Sequence, residues 1–117
     1  MDLNRFTEKA QEAVLQARSL ASDHSHGQIE GEHLLLALLR QSDGVVPSIV
    51  QSLGLQAENL AQLVETDLGH KPQVYGGSTQ IGLSRDMERT LGRAVKLAQG
   101  MSDDFVSTEH LLLSLAE

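Results

Sequence analysis

Apolar residues recur at helical spacing in two long stretches of this chain, and the two stretches match each other. In the first, Ala10, Ala13, Val14, Ala17 and Ala21 share one face behind Thr7, a good N-cap residue, with Glu8 in the first turn. In the second, Met87, Leu91, Ala94, Leu97 and Ala98 repeat that stripe behind Ser84. Each stretch leads to the run Glu-His-Leu-Leu-Leu, once at Glu32 to Leu36 and again at Glu109 to Leu113, an offset of 110 − 33 = 77. The same offset sets Phe6-Thr7 on Leu83-Ser84, Ala17 on Ala94, Leu20-Ala21 on Leu97-Ala98 and Ile29 on Val106. The chain reads as a tandem repeat.

The pattern between these landmarks predicts more helices. Ile29 and Leu34 stand at the spacing of a hydrophobic staple around a cap at Glu30, and Val106 and Leu111 do so around Ser107. The helix that follows each cap is apolar nearly all round and is expected to be buried. Gln41 to Gly44 is a turn, and Pro47 is acceptable only in the first turn of a third helix, which Gly54 ends. A fourth helix is expected with Leu60, Leu63, Val64 and Leu68 on one face and Gly69 after it. Residues 69–82 hold Gly69, Gly76, Gly77, Gly82 and Pro72 without helical period and form a linker, in which Pro72 to Tyr75 is a candidate for an extended segment against the body. The expected fold is all-α, two tandem pseudo-symmetric four-helix repeats over 1–68 and 83–117. The second is truncated at its C-terminus, since the offset carries the end of the fourth helix to 68 + 77 = 145. That shortfall is expected to expose apolar surface on the last helix and to invite dimerisation or domain swapping.

Composition narrows the function classes. Phe6, Tyr75 and Phe105 are the only aromatics among 117 residues, so Leu, Ala, Val and Ile must build the core. A net charge of −7 speaks against nucleic acid and an anionic membrane surface as partners. The absence of cysteine fits a reducing compartment, and the longest apolar run, Leu34 to Leu39, is far too short to span a bilayer. A soluble, cytoplasmic domain is expected.

Candidate chemistry is sparse. The chain has no phosphate-binding Gly-x-x-x-x-Gly-Lys-Ser/Thr. His24 and His26, with His33 nearby, suggest a metal, but neither a carboxylate nor a cysteine completes a plausible ligand set, so no metal site is expected. His33 and His110 occupy equivalent repeat positions, which suits a helix-start role, such as bonding a nearby backbone group, better than catalysis. Ser, His and Asp residues are present without a nucleophile elbow, so no catalytic site is expected. Glu32 and Glu109 read as first-turn carboxylates favoured by the helix dipole, or as a charged rim on a binding groove, the latter more so for Glu109. Thr7 is first of all a cap, though a cap at an exposed helix end can also meet a ligand.

The run Asn4-Arg5-Phe6-Thr7-Glu8-Lys9-Ala10-Gln11, the doubled Glu-His-Leu-Leu and the linker Lys71-Pro72-Gln73-Val74 together resemble the Clp N-terminal domain. The start of the chain and the Pro-Gln-Val segment are most similar to the ClpB-type disaggregase branch. The resemblance implies a non-catalytic domain tethered to an AAA+ ATPase ring, hexameric in the family. It implies no cofactor in this chain, with ATP bound in ATPase domains that are absent here. It further implies a stress-response role in which an inter-repeat hydrophobic groove captures unfolded or aggregated protein clients for disaggregation. By the same resemblance, the substrate-binding residues are Thr7, Asp103 and Glu109, with Leu91 and Leu97 lining the groove. Gly92 inside a helix, the charge of Arg93 and the missing last helices depart from that pattern. Two other readings stay open: docking of adaptor proteins, as in protease-partnered relatives, and a free-standing regulatory protein. A shallow apolar groove with an acidic rim at Asp103, Asp104 and Glu109 would bind loosely and prefer segments mixing apolar and basic residues.

Overall fold

Thr7 and Ser84 set the frame. In the computed structural model, which describes residues 3–74 and 80–117, both are extended. Thr7 Oγ1 accepts the Ala10 amide (3.1 Å), and Ser84 Oγ accepts that of Met87 (3.0 Å). Behind them run the two long helices, α1 (Glu8–Asp23) and α5 (Arg85–Gly100). α1 buries Ala10, Ala13, Val14, Ala17 and Ala21, and α5 buries Met87, Thr90, Leu91, Ala94 and Ala98. Small residues on both stripes let a second helix lie close: α2 (Gly31–Leu39) against α1, and α6 (Thr108–Leu115) against α5. Repeat one continues with α3 (Val45–Ser52), holding Pro47 in its first turn, and α4 (Ala57–Gly69). The fold is all-α and pseudo-symmetric.

Both long helices end in the same way. Ser25 (φ 56°) and Ser102 (φ 57°) take the left-handed conformation just past the helix. The following amides then reach back, His26 N–H to the Ala21 carbonyl and Asp103 N–H to that of Ala98, each 2.9 Å. This is the double-bonded left-handed helix stop, with serine in the place usually taken by glycine. It turns the chain so that His26 and Asp103 head back toward the starts of α2 and α6.

The repeats are stitched by exchange. The segment entering α1 pairs with the segment entering α6: Phe6 bridges Val106, Thr7 N–H donates to the Val106 carbonyl (2.9 Å), and Val106 N–H to the Arg5 carbonyl (2.8 Å). At the symmetric place β1 (Gln28–Ile29) lies parallel to β2 (Gly82–Leu83), with Ile29 opposite Leu83 and Ser84 N–H bonded to the Ile29 carbonyl (3.1 Å). The 77-residue offset maps one seam onto the other. Phe6, Ile29 and Val106 are buried there beside Leu34 and Leu111, so the two repeats share one core.

α4 differs from its expected packing at one residue. Leu60, Ala61, Val64 and Leu68 form its inner face, whereas Leu63 is 68% exposed. Leu63 stands about 120° round the helix from the centre of that row at 100° per residue, so leucine alone was a poor guide to facing. α4 packs on α2, where Leu36 is fully buried; its counterpart Leu113 on α6 is 48% exposed, and no described helix stands to α6 as α4 does to α2. In the linker, Val74 N–H donates to the Ser25 carbonyl (2.8 Å), which lays this segment against the body. Tyr75 and the glycines at 76 and 77 lie outside the described residues.

Gly92 sits mid-helix with open space where a Cβ would point. Gly92→Ala is therefore expected to raise stability by about 0.5–1 kcal/mol, since only backbone entropy changes. A thermal melt with no upward shift would contradict this.

Candidate functional site

The start of α6 gathers three of the expected residues. The Ser107 amide donates to Nδ1 of His110 (2.9 Å), so that nitrogen carries no proton and Nε2 does. Nε2–H then donates to Oδ2 of Asp103, 2.9 Å away. His110 is buried while the Asp103 side chain stays half exposed, so this bond fixes the carboxylate at the mouth of the helix. Glu109 projects from the first turn into solvent. Thr7 is tied to the same place by its backbone N–H, which donates to the carbonyl of Val106, one residue before the Ser107 cap. Thr7, Asp103 and Glu109 thus surround one inter-repeat seam.

The apolar part of this surface was not read from the sequence. Met101 (56%) and Phe105 (55%) stand exposed on the loop that carries Asp103 and Asp104. At the 77-residue offset their counterparts are His24 and Gln28, so repeat one has no equivalent apolar pair. That comparison was available in the sequence. Leu97 is partly buried and lines an open depression of about 360 Å³ with Arg93, Lys96, Gly100, Met101 and Glu117, so it joins the site only through Met101. Leu91 requires a correction: it has no exposed surface and lies in the core, so it cannot line a groove. It stands on the inner stripe of α5, which packs on α6. The Arg93 charge folds back, with Nη2 at 3.4 Å from Thr90 Oγ1 and 3.5 Å from the Ser114 carbonyl, and Nε 3.8 Å from the Glu117 carboxylate.

Repeat one builds its helix start differently. The Glu30 amide donates to Nδ1 of His33 (2.8 Å), as in repeat two, but the partner of Nε2 is Nδ1 of His26 (2.8 Å). His33 Nε2–H must donate and His26 Nδ1 accept, which leaves the His26 Nε2–H for the Leu68 carbonyl. Both rings are held neutral. Burial, followed by the neighbouring His26, lowers the His33 pKa to about 4, although Glu32 and Glu30 pull the other way. His26 is lowered by burial, then by His24 and Lys71. Lys71 from the linker pairs with Glu32 at 2.9 Å, and that bond keeps the Glu32 carboxyl low against the opposing effect of burial. His24 stacks on His26 with centroids 5.4 Å apart, and His33 lies tilted at 53° with its centroid 5.0 Å from that of His26, but the ring nitrogens of His33 and His26 are committed to these bonds. Among the described residues no group of three or more His, Cys, Asp or Glu is placed to hold a metal. No helix among them is long and apolar enough to cross a membrane.

Comparison with known proteins gives the family and the fold. Residues 5–117 match the family described as the Clp repeat (R) N-terminal domain. The chain is 40% identical over 120 residues to the chaperone protein ClpB of Bacillus cereus, and 39% identical over 117 residues to that of Meiothermus ruber. In both cases all of this chain is covered but only 14% of the relative, so it corresponds to a small part of those proteins. Among solved structures, the Hsp104 N-terminal domain from Candida albicans superposes with a TM-score of 0.89 at 24% identity, covering 97% of this chain and 75% of that one. The N-terminal domain of the ClpV1 ATPase from E. coli gives 0.86 at 24% identity, covering 97% and 68%.

Proposed function

This chain belongs to the Clp repeat N-terminal domain family, and from that premise we propose that it recruits unfolded or aggregated protein to a Clp-type ATP-dependent chaperone for disaggregation. The domain works without catalysis of its own, and the ATPase ring to which it would deliver clients is hexameric. The observation that carries this reading is the exposure of Met101 and Phe105 on the loop that carries Asp103 and Asp104 and leads into α6, whose first turn holds Glu109. An apolar patch with like charges around it holds many sequences loosely, and segments mixing apolar and basic residues best. His110 supports it by fixing Asp103, and Thr7 by fixing the facing strand.

Titrating the chain into a labelled, permanently unfolded polypeptide tests the reading. Phe105→Ser should weaken binding about tenfold, since an aromatic anchor contributes about 1–2 kcal/mol. Leu63→Ser removes an equally exposed leucine on α4 and should change nothing. Wild-type affinity in Phe105→Ser would overturn the proposal. Tight binding to one folded adaptor, with none to unfolded chains, would replace it with adaptor docking. Equal affinity for acidic and basic model peptides would remove the rim's preference alone.

A further inference from the structure

Superposing the repeats at the 77-residue offset reverses the charge of their outer helix faces. On α1 the solvent side carries Glu8, Glu12 and Asp23, with Leu15 among them. On α5 the same side carries Arg85, Arg89 and Lys96, with Gly92 where Leu15 would stand. Glu8 corresponds to Arg85, Glu12 to Arg89, Leu15 to Gly92 and Ser19 to Lys96. At 100° per residue all of these lie within about 45° of the direction opposite each buried stripe. The α5 acids Asp86 and Glu88 lie about 80° from the centre of the basic row.

Leu15 is 59% exposed in the middle of the acidic row. Gly92, in the middle of the basic row, meets no atom of its own chain that would require glycine. The knob has Glu12 and Arg18 beside it, and the notch has Arg89, Lys96 and Glu88, so Arg18 and Glu88 break the single-sign rows but are themselves opposite in charge. The charges are also free to engage: Lys9 to Glu12 (3.7 Å) and Arg89 to Asp86 (3.4 Å) are loose contacts between exposed side chains. Arg40, which borders the acidic face, is committed to Glu65 (2.6 Å) and Glu58 (3.2 Å).

We propose that α1 of one copy docks on α5 of a second copy, acidic face to basic face, with Leu15 seated over Gly92. In an antiparallel crossing, Glu12 comes beside Lys96 and Asp23 beside Arg85, since their rises from the knob and the notch agree within about 1.5 Å. The contact is heterologous, so each pair keeps one unused acidic face and one unused basic face and further copies can add. The net charge of −7 opposes association only over distances that salt screens beyond about 8 Å, whereas the faces act in contact.

Sedimentation of the 117-residue chain and two variants tests this. Wild type should self-associate reversibly at millimolar protein in low salt and weaken about tenfold on raising salt from roughly 0.05 to 0.5 M. Glu8→Lys with Glu12→Lys, and Arg85→Glu with Arg89→Glu, should each be monomeric alone. An equal mixture should form a one-to-one complex, because the first keeps the basic face and the second the acidic one. Melts identical to wild type establish that the variants fold; Glu12→Gln and Arg89→Gln serve if either does not. A monomeric wild type, a mixture that stays monomeric, or association that survives in both variants (as through the exposed face of α6 at Leu113) would overturn the proposal.

Discussion

Leu91→Asp is expected to leave the chain without a cooperative thermal transition. Leu91 has no solvent exposure and shares the core with Met87, Ala94 and Leu111. Truncating such a side chain alone costs about 2–5 kcal/mol. Placing a carboxyl there adds a further desolvation penalty of about 1–3 kcal/mol even when it is protonated. The sum rivals the entire stability of an ordinary domain, about 5–15 kcal/mol. The variant would lose client binding as well, but through loss of fold. Leu97→Ser is the informative counterpart, because Leu97 is only partly buried beside Met101 and should cost about 1 kcal/mol. Circular dichroism melts of the two separate these cases. A Leu91→Asp domain that melts like wild type would contradict the placement of this residue.

Acid should destabilise repeat one through His33. Its folded pKa lies at about 4, below the ordinary 6.5, so between those values the unfolded chain binds the extra proton. Stability is therefore full above 6.5 and falls as pH drops toward 4, by up to about 3 kcal/mol at 1.36 kcal/mol per unit. The structural cause is that both neutral rings are fully committed: a proton on Nδ1 of His33 opposes the Glu30 amide, and one on His26 opposes His33. Repeat two has Asp103 where repeat one has His26, and a carboxylate accepts from an imidazolium as well as from a neutral ring. His26→Asp should thus lessen the acid loss, because the ring of His33 would then face a carboxylate in place of a second imidazole. Glu32, held low by Lys71, loses its contribution only in stronger acid, so the difference between variant and wild type isolates the histidines. Urea denaturation near pH 7 and near pH 4.5 measures the effect. Unchanged stability of wild type between those pH values would contradict it.

Much of the fold was legible because repetition reports tertiary structure that local propensity does not. The caps at Thr7, Ser84, Glu30 and Ser107 follow from residue type and spacing, and a backbone-bonding role for His33 and His110 follows from their duplication. The polar run from Ser22 to Gly27 marks where α1 ends but not how, because Ser25 and Ser102 adopt a left-handed conformation that sequence assigns to glycine. That gap hid the placement of His26 and Asp103, and so the bond that ties Asp103 to His110. The exchange of lead-in segments at Phe6 with Val106 and at Leu83 with Ile29 was hidden too, since both pairings join distant parts of the chain. Leu91 was misplaced for a simpler reason: periodicity marks a stripe as apolar, but whether that stripe meets core or ligand is decided by what packs on it.

The most direct test of the account is an amide-shift titration of the folded chain with an unfolded, apolar and basic polypeptide. Shifts should concentrate at Thr7, Met101, Asp103, Phe105 and Glu109, and the symmetric positions at the other seam, Ser84, His24, His26, Gln28 and Glu32, should remain still. Shifts confined to that other seam, or spread equally over both, would contradict a client site at the start of α6.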